Sequence, residues 1–160
     1  MINQNTKIYV DLDGVLADFD GAKAKLNVST GDVFRHTRLI NNWWLSLNKL
    51  SNADRLLEFI SKYGDYYILS KPSNIDPASW REKPQWVQKN ASIKPIKTIL
   101  SLDKSTYAIN PDQSANILID DWQKNIKKWN DAGGIGLLYR NDICDKVMHD
   151  LSKIMNGTAS

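Results

Sequence analysis

Ile8-Tyr9-Val10-Asp11-Leu12-Asp13-Gly14-Val15 decides the fold of this 160-residue chain. Its first three residues are apolar and read as a buried strand. The two aspartates stand two apart, so on an extended backbone their side chains share a face. Gly14 then lets the chain turn sharply and leaves room for a ligand at the main chain. Like charges this close repel, and the carboxyl ends of strands are where α/β folds bind ligands. A divalent cation would relieve the repulsion. The stretch therefore points to metal-assisted chemistry at the end of a buried strand.

Working outward, strands and helices alternate. Lys7 to Val10 is the first strand, and residues 20–42 are polar with weak periodicity. Leu56, Leu57, Phe59, Ile60 and Tyr63 recur at helical spacing, with Asn52 as the expected cap and Gly64 as the stop. Tyr66 to Leu69 reads as a strand ended by Ser70-Lys71-Pro72. Residues 80–89 read as partly helical, with Pro84 expected near the helix start. Lys97 to Leu100 reads as a short strand. Asn116 to Ile119 is a further strand that runs into Asp120-Asp121, and 124–132 is a helix stopped by Gly133-Gly134. Ile135 to Tyr139 is the last strand. Ile143, Val147, Leu151 and Ile154 form the buried stripe of a closing helix. This alternation predicts an α/β protein: a mostly parallel sheet with helices on both faces, in one domain over 1–160.

Composition is that of an ordinary globular protein, with 42% hydrophobic and 24% charged residues. The net charge of +3 comes from scattered lysines and gives no concentrated basic stripe, so a nucleic-acid polymer is not the expected partner. The single cysteine, Cys144, rules out an internal disulfide and suits a reducing compartment. The polar start lacks an apolar signal core and no run has transmembrane length, so a cytoplasmic location without a membrane partner is expected.

Chemistry-bearing residues fall at successive strand ends: Asp11 and Asp13, then Ser70, then Asp103-Lys104 before the fourth strand, then Asp120-Asp121. In a parallel sheet these ends line one edge, so the groups can converge. Carboxylates suit Mg²⁺, while a hydroxyl and an ammonium suit phosphate oxygens. One carboxylate can attack phosphorus and another can carry a proton.

In this order the residues resemble the haloacid dehalogenase (HAD) superfamily of phosphohydrolases. The similarity is closer to the 5'(3')-deoxyribonucleotidases and their bacterial and phage relatives. It rests on Asp11-Leu12-Asp13-Gly14-Val15-Leu16-Ala17-Asp18-Phe19, Glu82-Lys83-Pro84-Gln85-Trp86-Val87, Asp103-Lys104-Ser105, and Asp120-Asp121 with Asn125 and Trp129. The resemblance implies a Rossmann-like HAD fold with a small cap inserted at 20–45; residues 156–160 are expected to form a flexible tail. It implies a Mg²⁺-dependent phosphomonoesterase acting through an aspartyl-phosphate, most closely a 5'-nucleotidase on (deoxy)nucleoside monophosphates. Asp11 would be the nucleophile and Asp13 the proton carrier. Mg²⁺ would be held by Asp11, the Asp13 main-chain carbonyl, Asp120 and, in support, Asp121. Ser70, Lys71 and Lys104 would bind the phosphoryl group. Phe19, Trp43 and Trp44 would shape the substrate site.

The chain departs from that pattern in its short cap, in Leu102 where relatives often have arginine, and in Trp122 where a basic residue is common. The short cap admits three readings: an open site, another small phosphomonoester, or closure by a partner subunit in a homo-oligomer. A receiver-like signalling module that keeps its phospho-aspartate is the alternative from another class. The order of the acidic motifs argues against it. Blander readings stand beside these. Asp120-Asp121 would also suit a helix N-terminus, one of Trp43 and Trp44 is expected to be plain packing, and Lys124, Lys127 and Lys128 read as a solvated helix face.

Overall fold

The computed structural model describes residues 1–157. Five strands form one parallel sheet: β1 (Ile8–Val10), β2 (Tyr66–Ser70), β3 (Lys97–Leu100), β4 (Ile117–Asp120) and β5 (Ile135–Leu138). Their spatial order is β3-β2-β1-β4-β5, so the strand carrying the opening motif is central. Ile8 and Val10 are level with Tyr66 and Ile68 on one side and with Ile117 and Ile119 on the other. The pleat sends Ile8, Val10, Ile68, Ile117 and Ile119 to the larger core and Tyr9, Leu69 and Leu118 to a smaller one. Burial on both faces explains why β1 is a continuous apolar run.

The helices are α1 (Phe19–Leu26), α2 (Val33–Thr37), α3 (Ala53–Ser61), α4 (Ala78–Asn90), α5 (Gln123–Asp131) and α6 (Cys144–Met155). Leu56, Leu57 and Ile60 of α3, Trp86 and Val87 of α4, and Val147 and Leu151 of α6 cover the larger core. Ile126 and Trp129 of α5 cover the other face. Each such aliphatic side chain, fully buried, stabilises the fold by about 1.5–3 kcal/mol. Helices thus lie on both faces, as the alternation predicts.

The weakly periodic stretch 20–42 holds α1 and α2, too short to show an amphipathic repeat. Asp18 caps α1, accepting from the Gly21 N–H at 2.9 Å. Three expectations need correction. Pro84 lies inside α4, not near its start. Its missing N–H leaves the Trp80 carbonyl without a helical partner, and Trp80 is 42% exposed, where water can take the bond. Asn52 stands at the N-terminal boundary of α3, but its side chain makes no capping bond. It donates instead to the Asn141 carbonyl at 2.8 Å and ties the helix to the chain after β5. Ile143 precedes α6 as its boundary residue rather than lying within it. Gly64, with φ of +126°, ends α3 as expected. Of the tail expected at 156–160, Asn156 bounds α6 and residues 158–160 lie outside those described. Among the described residues no helix is long and apolar enough to cross a membrane.

Candidate active site

Three strand ends build the site. The ladder of β1 and β4 continues past its last paired residues, with the Asp11 N–H donating to the Ile119 carbonyl at 2.9 Å. This fixes Asp11 beside Asp120. Beyond Asp13 the chain turns back, and Leu12 accepts from the N–H of Leu16 at 2.9 Å. Gly14, at φ +81°, makes that turn. A Cβ there would sit 1.9 Å from Oδ2 of Asp121, so only glycine lets that carboxylate lie against the turn.

Oxygens of Asp11, Asp120 and Asp121 lie within 4.8 Å of one another. Lys104 is the cation among them: its Nζ is 2.7 Å from Asp11 Oδ1 and 2.7 Å from Asp120 Oδ2. Asp120 is fully buried and also accepts from the Trp122 N–H at 2.8 Å and the Asn125 amide at 3.0 Å. Three carboxylates against one ammonium leave two negative charges in excess. Burial, and then the charge of Asp120, push the Asp11 carboxyl well above its ordinary range. The same two causes push Asp121 up to about 6. Burial acts to lower the Lys104 pKa, but Asp11 and Asp120 outweigh it and hold the ammonium charged. An oxygen-only, over-acidic cluster fits a hard divalent cation.

Asp13 stands apart from that trio. Its Oδ2 pairs with Lys83 Nζ at 2.5 Å, and its Oδ1 is buried with no protein partner. Lys83 is 2% exposed, donates to Ser70 Oγ and the Lys71 carbonyl, each at 3.0 Å, and lies 4.6 Å from the centre of the Trp44 ring. Ser70, fully buried at the end of β2, is thereby held beside Asp13.

These groups floor a cavity of about 590 Å³ whose cap-side wall is aromatic. Phe19 and Phe34 both stack on Trp44, at 5.8 and 5.9 Å between centroids. The segment expected as a cap, 20–45, is pinned by two buried carboxylates in the chain after β2. Asp76 accepts from Trp44 Nε1 at 2.8 Å and from the Thr37 hydroxyl at 2.5 Å, and Glu82 accepts from the Trp44 N–H at 3.1 Å.

The structure thus brings Asp11, Asp13, Ser70, Lys71, Lys104, Asp121, Phe19 and Trp44 to one cavity, with Asp120 beneath. It does not bring Trp43 there: that ring packs edge-on against Phe19 and Trp44 from behind. Trp43 belongs to the larger core, and Trp44 occupies the place facing the cavity. Sequence reasoning placed Lys83 in a segment that carries the resemblance but gave it no role in the site, and it singled out neither Phe34 nor Asp76. A signal for Lys83 was present. Ser79, Glu82, Lys83, Trp86 and Val87 fall at helical spacing on one buried stripe, and charged residues on such a stripe call for partners.

No family model matches the chain. A protein of Vibrio phage KVP40 named "Putative 5'(3')-deoxyribonucleotidase" is 28% identical over 121 residues, covering 74% of this chain and 67% of its own length. By structure, the chain resembles a hydrolase from Streptococcus pneumoniae TIGR4 (TM-score 0.56, 14% identity, 90% of this chain and 97% of that one). It also resembles D,D-heptose 1,7-bisphosphate phosphatase from Burkholderia thailandensis (TM-score 0.53, 13% identity, 91% and 85%). The fold is the α/β architecture that the HAD resemblance implied.

Proposed function

We propose that this protein is a Mg²⁺-dependent phosphomonoesterase working through an aspartyl-phosphate on Asp11, with (deoxy)nucleoside monophosphates as its substrate class. The observation that carries this reading is the division of the two opening aspartates. Asp11 sits in an over-acidic oxygen cluster, while Asp13 sits outside it with a free, buried oxygen beside the cavity. The phage relative's name and the aromatic wall support a nucleotide. The single buried cysteine supports a reducing, cytoplasmic setting.

Asp11, Asp120 and Asp121 would hold the cation, with the Asp13 main-chain carbonyl beside them. When bound, it neutralises carboxylate and phosphoryl oxygens so that two anions can meet. A carboxylate oxygen of Asp11 attacks phosphorus in line with the ester oxygen. The phosphorus–ester bond breaks, and the leaving oxygen takes a proton that Asp13 must first carry on Oδ1, the oxygen that Lys83 does not hold. Ser70, Lys71 and Lys104 bind the non-bridging oxygens, whose charge they stabilise. Lys83 positions Asp13 and Ser70 against each other. Water then attacks phosphorus, Asp13 takes its proton, and the bond to Asp11 breaks. Inorganic phosphate leaves and both aspartates return to their starting state.

The test is phosphate release from a panel of nucleotides and sugar phosphates, with and without Mg²⁺, beside Asp11→Asn. Release should require Mg²⁺ and favour nucleotides, and the variant should lose activity by about a thousandfold or more. Undiminished turnover by Asp11→Asn would refute the nucleophile. A sugar phosphate preferred over every nucleotide would refute the substrate class.

A further inference from the structure

Beside the main cavity lies a second, smaller recess of about 80 Å³. The two share Lys71, Leu102, Lys104, Trp122 and Asn125 in their linings, so they adjoin. The recess adds Lys124 and Lys128 of α5. Two of the three departures from the resembled pattern, Leu102 and Trp122, stand on its rim, 51% and 48% exposed.

The lysines are notable for what they lack. Among the described residues, Lys71, Lys124 and Lys128 form no ion pair. Lys127, on the same helix, is paired with Asp131 at 2.6 Å, and Lys146 with Asp150 at 2.6 Å. Lys124 lies over the Trp122 ring at 5.5 Å. The one carboxylate lining the recess is Asp103, and it is already engaged: Ser105 donates to it through its hydroxyl at 2.7 Å and its N–H at 3.1 Å. Those two bonds, and then the charges of Lys128 and Lys71, hold Asp103 below the ordinary carboxylate range. Three lysines against one aspartate leave two positive charges in excess at the edge of the catalytic centre. A plain solvated face does not require that excess to converge on a concavity.

We propose that Lys124 and Lys128, with Lys71 at the boundary between the two sites, form a subsite for a second phosphate, so that the enzyme takes a bisphosphate as substrate, with one phosphate at Asp11 and the other in this recess. The inference rests on the phosphomonoesterase reading and deepens it. The recess suits an oxyanion better than a base or a sugar. The two sides of the centre then match the two ends of such a molecule: the aromatic wall of Phe19, Phe34 and Trp44 for the base, and the lysines for the second anion. A nucleoside 3',5'-bisphosphate has that arrangement.

The experiment compares kcat/KM for a nucleoside 5'-monophosphate, its 3',5'-bisphosphate and a 5'-phosphorylated dinucleotide. It uses the Mg²⁺-loaded enzyme and its Lys124→Gln/Lys128→Gln variant. Two exposed cation–phosphate contacts should favour the bisphosphate by about five- to tenfold, mostly through KM. The double variant should lose that preference while monophosphate turnover stays within about twofold. Equal handling of mono- and bisphosphate by the unaltered enzyme, or a preference that survives the double substitution, overturns the subsite. Preference for the dinucleotide over the bisphosphate also overturns it and points to nucleic-acid ends instead. A small aryl phosphate serves as an independent reference. If neither it nor the monophosphate is hydrolysed, the phosphatase reading itself fails; if either is, only the subsite is in question.

Discussion

Replacing Asp121 by asparagine should stabilise the metal-free protein near neutral pH and remove part of its pH dependence. Burial first, and the Asp120 charge second, raise the Asp121 carboxyl from 3.8 to about 6. Between those values the folded state keeps a proton that the unfolded state has released. Stability therefore falls as pH rises through this window and stays at the lower level above it. A shift of about two units corresponds to about 3 kcal/mol. Asp11 is raised for the same two reasons and steepens the slope in the same direction. Asp54, Asp103 and Asp112 are shifted the opposite way, chiefly by hydrogen bonds from Lys49, Ser105 and Asn5 respectively. Their contribution is present above the ordinary carboxylate value and is lost only below it, so a scan that starts at about pH 4.5 avoids them. The assay is urea or thermal unfolding of chelator-treated protein from about pH 4.5 to 7.5. At the upper end Asp121→Asn should gain about 2 kcal/mol, or about 4–8 °C in Tm for a chain of this size. Mg²⁺ should restore stability to the unaltered protein by mass action and do less for the variant. A metal-free protein whose stability is flat or rises across the window would refute the reasoning, as would a variant with an unchanged slope.

Gly14→Ala drives a methyl group into Asp121 Oδ2 and Cγ, at 1.9 and 2.4 Å, on a backbone with φ +81°. Calorimetry should show Mg²⁺ affinity reduced by about tenfold or more, on the scale of 10–100-fold losses when metal-site geometry is disturbed. Lys83→Met removes the cation beside Asp13 but touches none of the three clustered carboxylates. Steady-state kinetics should show kcat lower by about a hundredfold, with Mg²⁺ affinity unchanged by titration. Asp76→Ala breaks the bonds from Thr37 and Trp44 inside the buried latch. Unfolding should show a loss of about 2–4 kcal/mol, and KM for nucleotides should rise more than KM for small sugar phosphates.

Most of the fold was legible because its three central strands are buried on both faces. Ile8-Tyr9-Val10, Tyr66 to Leu69 and Ile117 to Ile119 are apolar runs too short for helices, each ended by polar residues. The helices with one wet face, α3, α5 and α6, announced themselves through period and glycine stops. The errors came where tertiary contacts override local preference. Pro84 is tolerated inside α4 because the buried stripe of Ser79, Glu82, Lys83, Trp86 and Val87 holds that helix in place. Asn52 gave up its cap for Asn141, a partner 89 residues away that no local pattern reveals. Of the site, the groups at strand ends could be placed from the sequence because parallel topology alone gathers them. Lys83 reaches the site from a helix face and Phe34 from the cap. Their arrival depends on how those elements dock, which periodicity does not encode.

That docking is what makes the opening aspartates unequal. On the strand they are near equivalents: same residue type, same face, two positions apart. Each is then held by a different lysine from a different element. Lys104 ties Asp11 to Asp120 and so to the acidic cluster, and Lys83 ties Asp13 to Ser70, away from it. Without Lys83, Asp13 would face the cluster as a further like charge and be drawn to any cation bound there. With it, one oxygen is anchored and the other is left free beside the cavity. On the proposed mechanism, a nucleophile that needs a metal and a proton carrier that must stay off it could therefore occupy one short strand end. The Asp76 and Glu82 latch serves the same separation. Through Trp44, whose ring lies over the Lys83 ammonium, it helps hold the lysine that sets Asp13 apart.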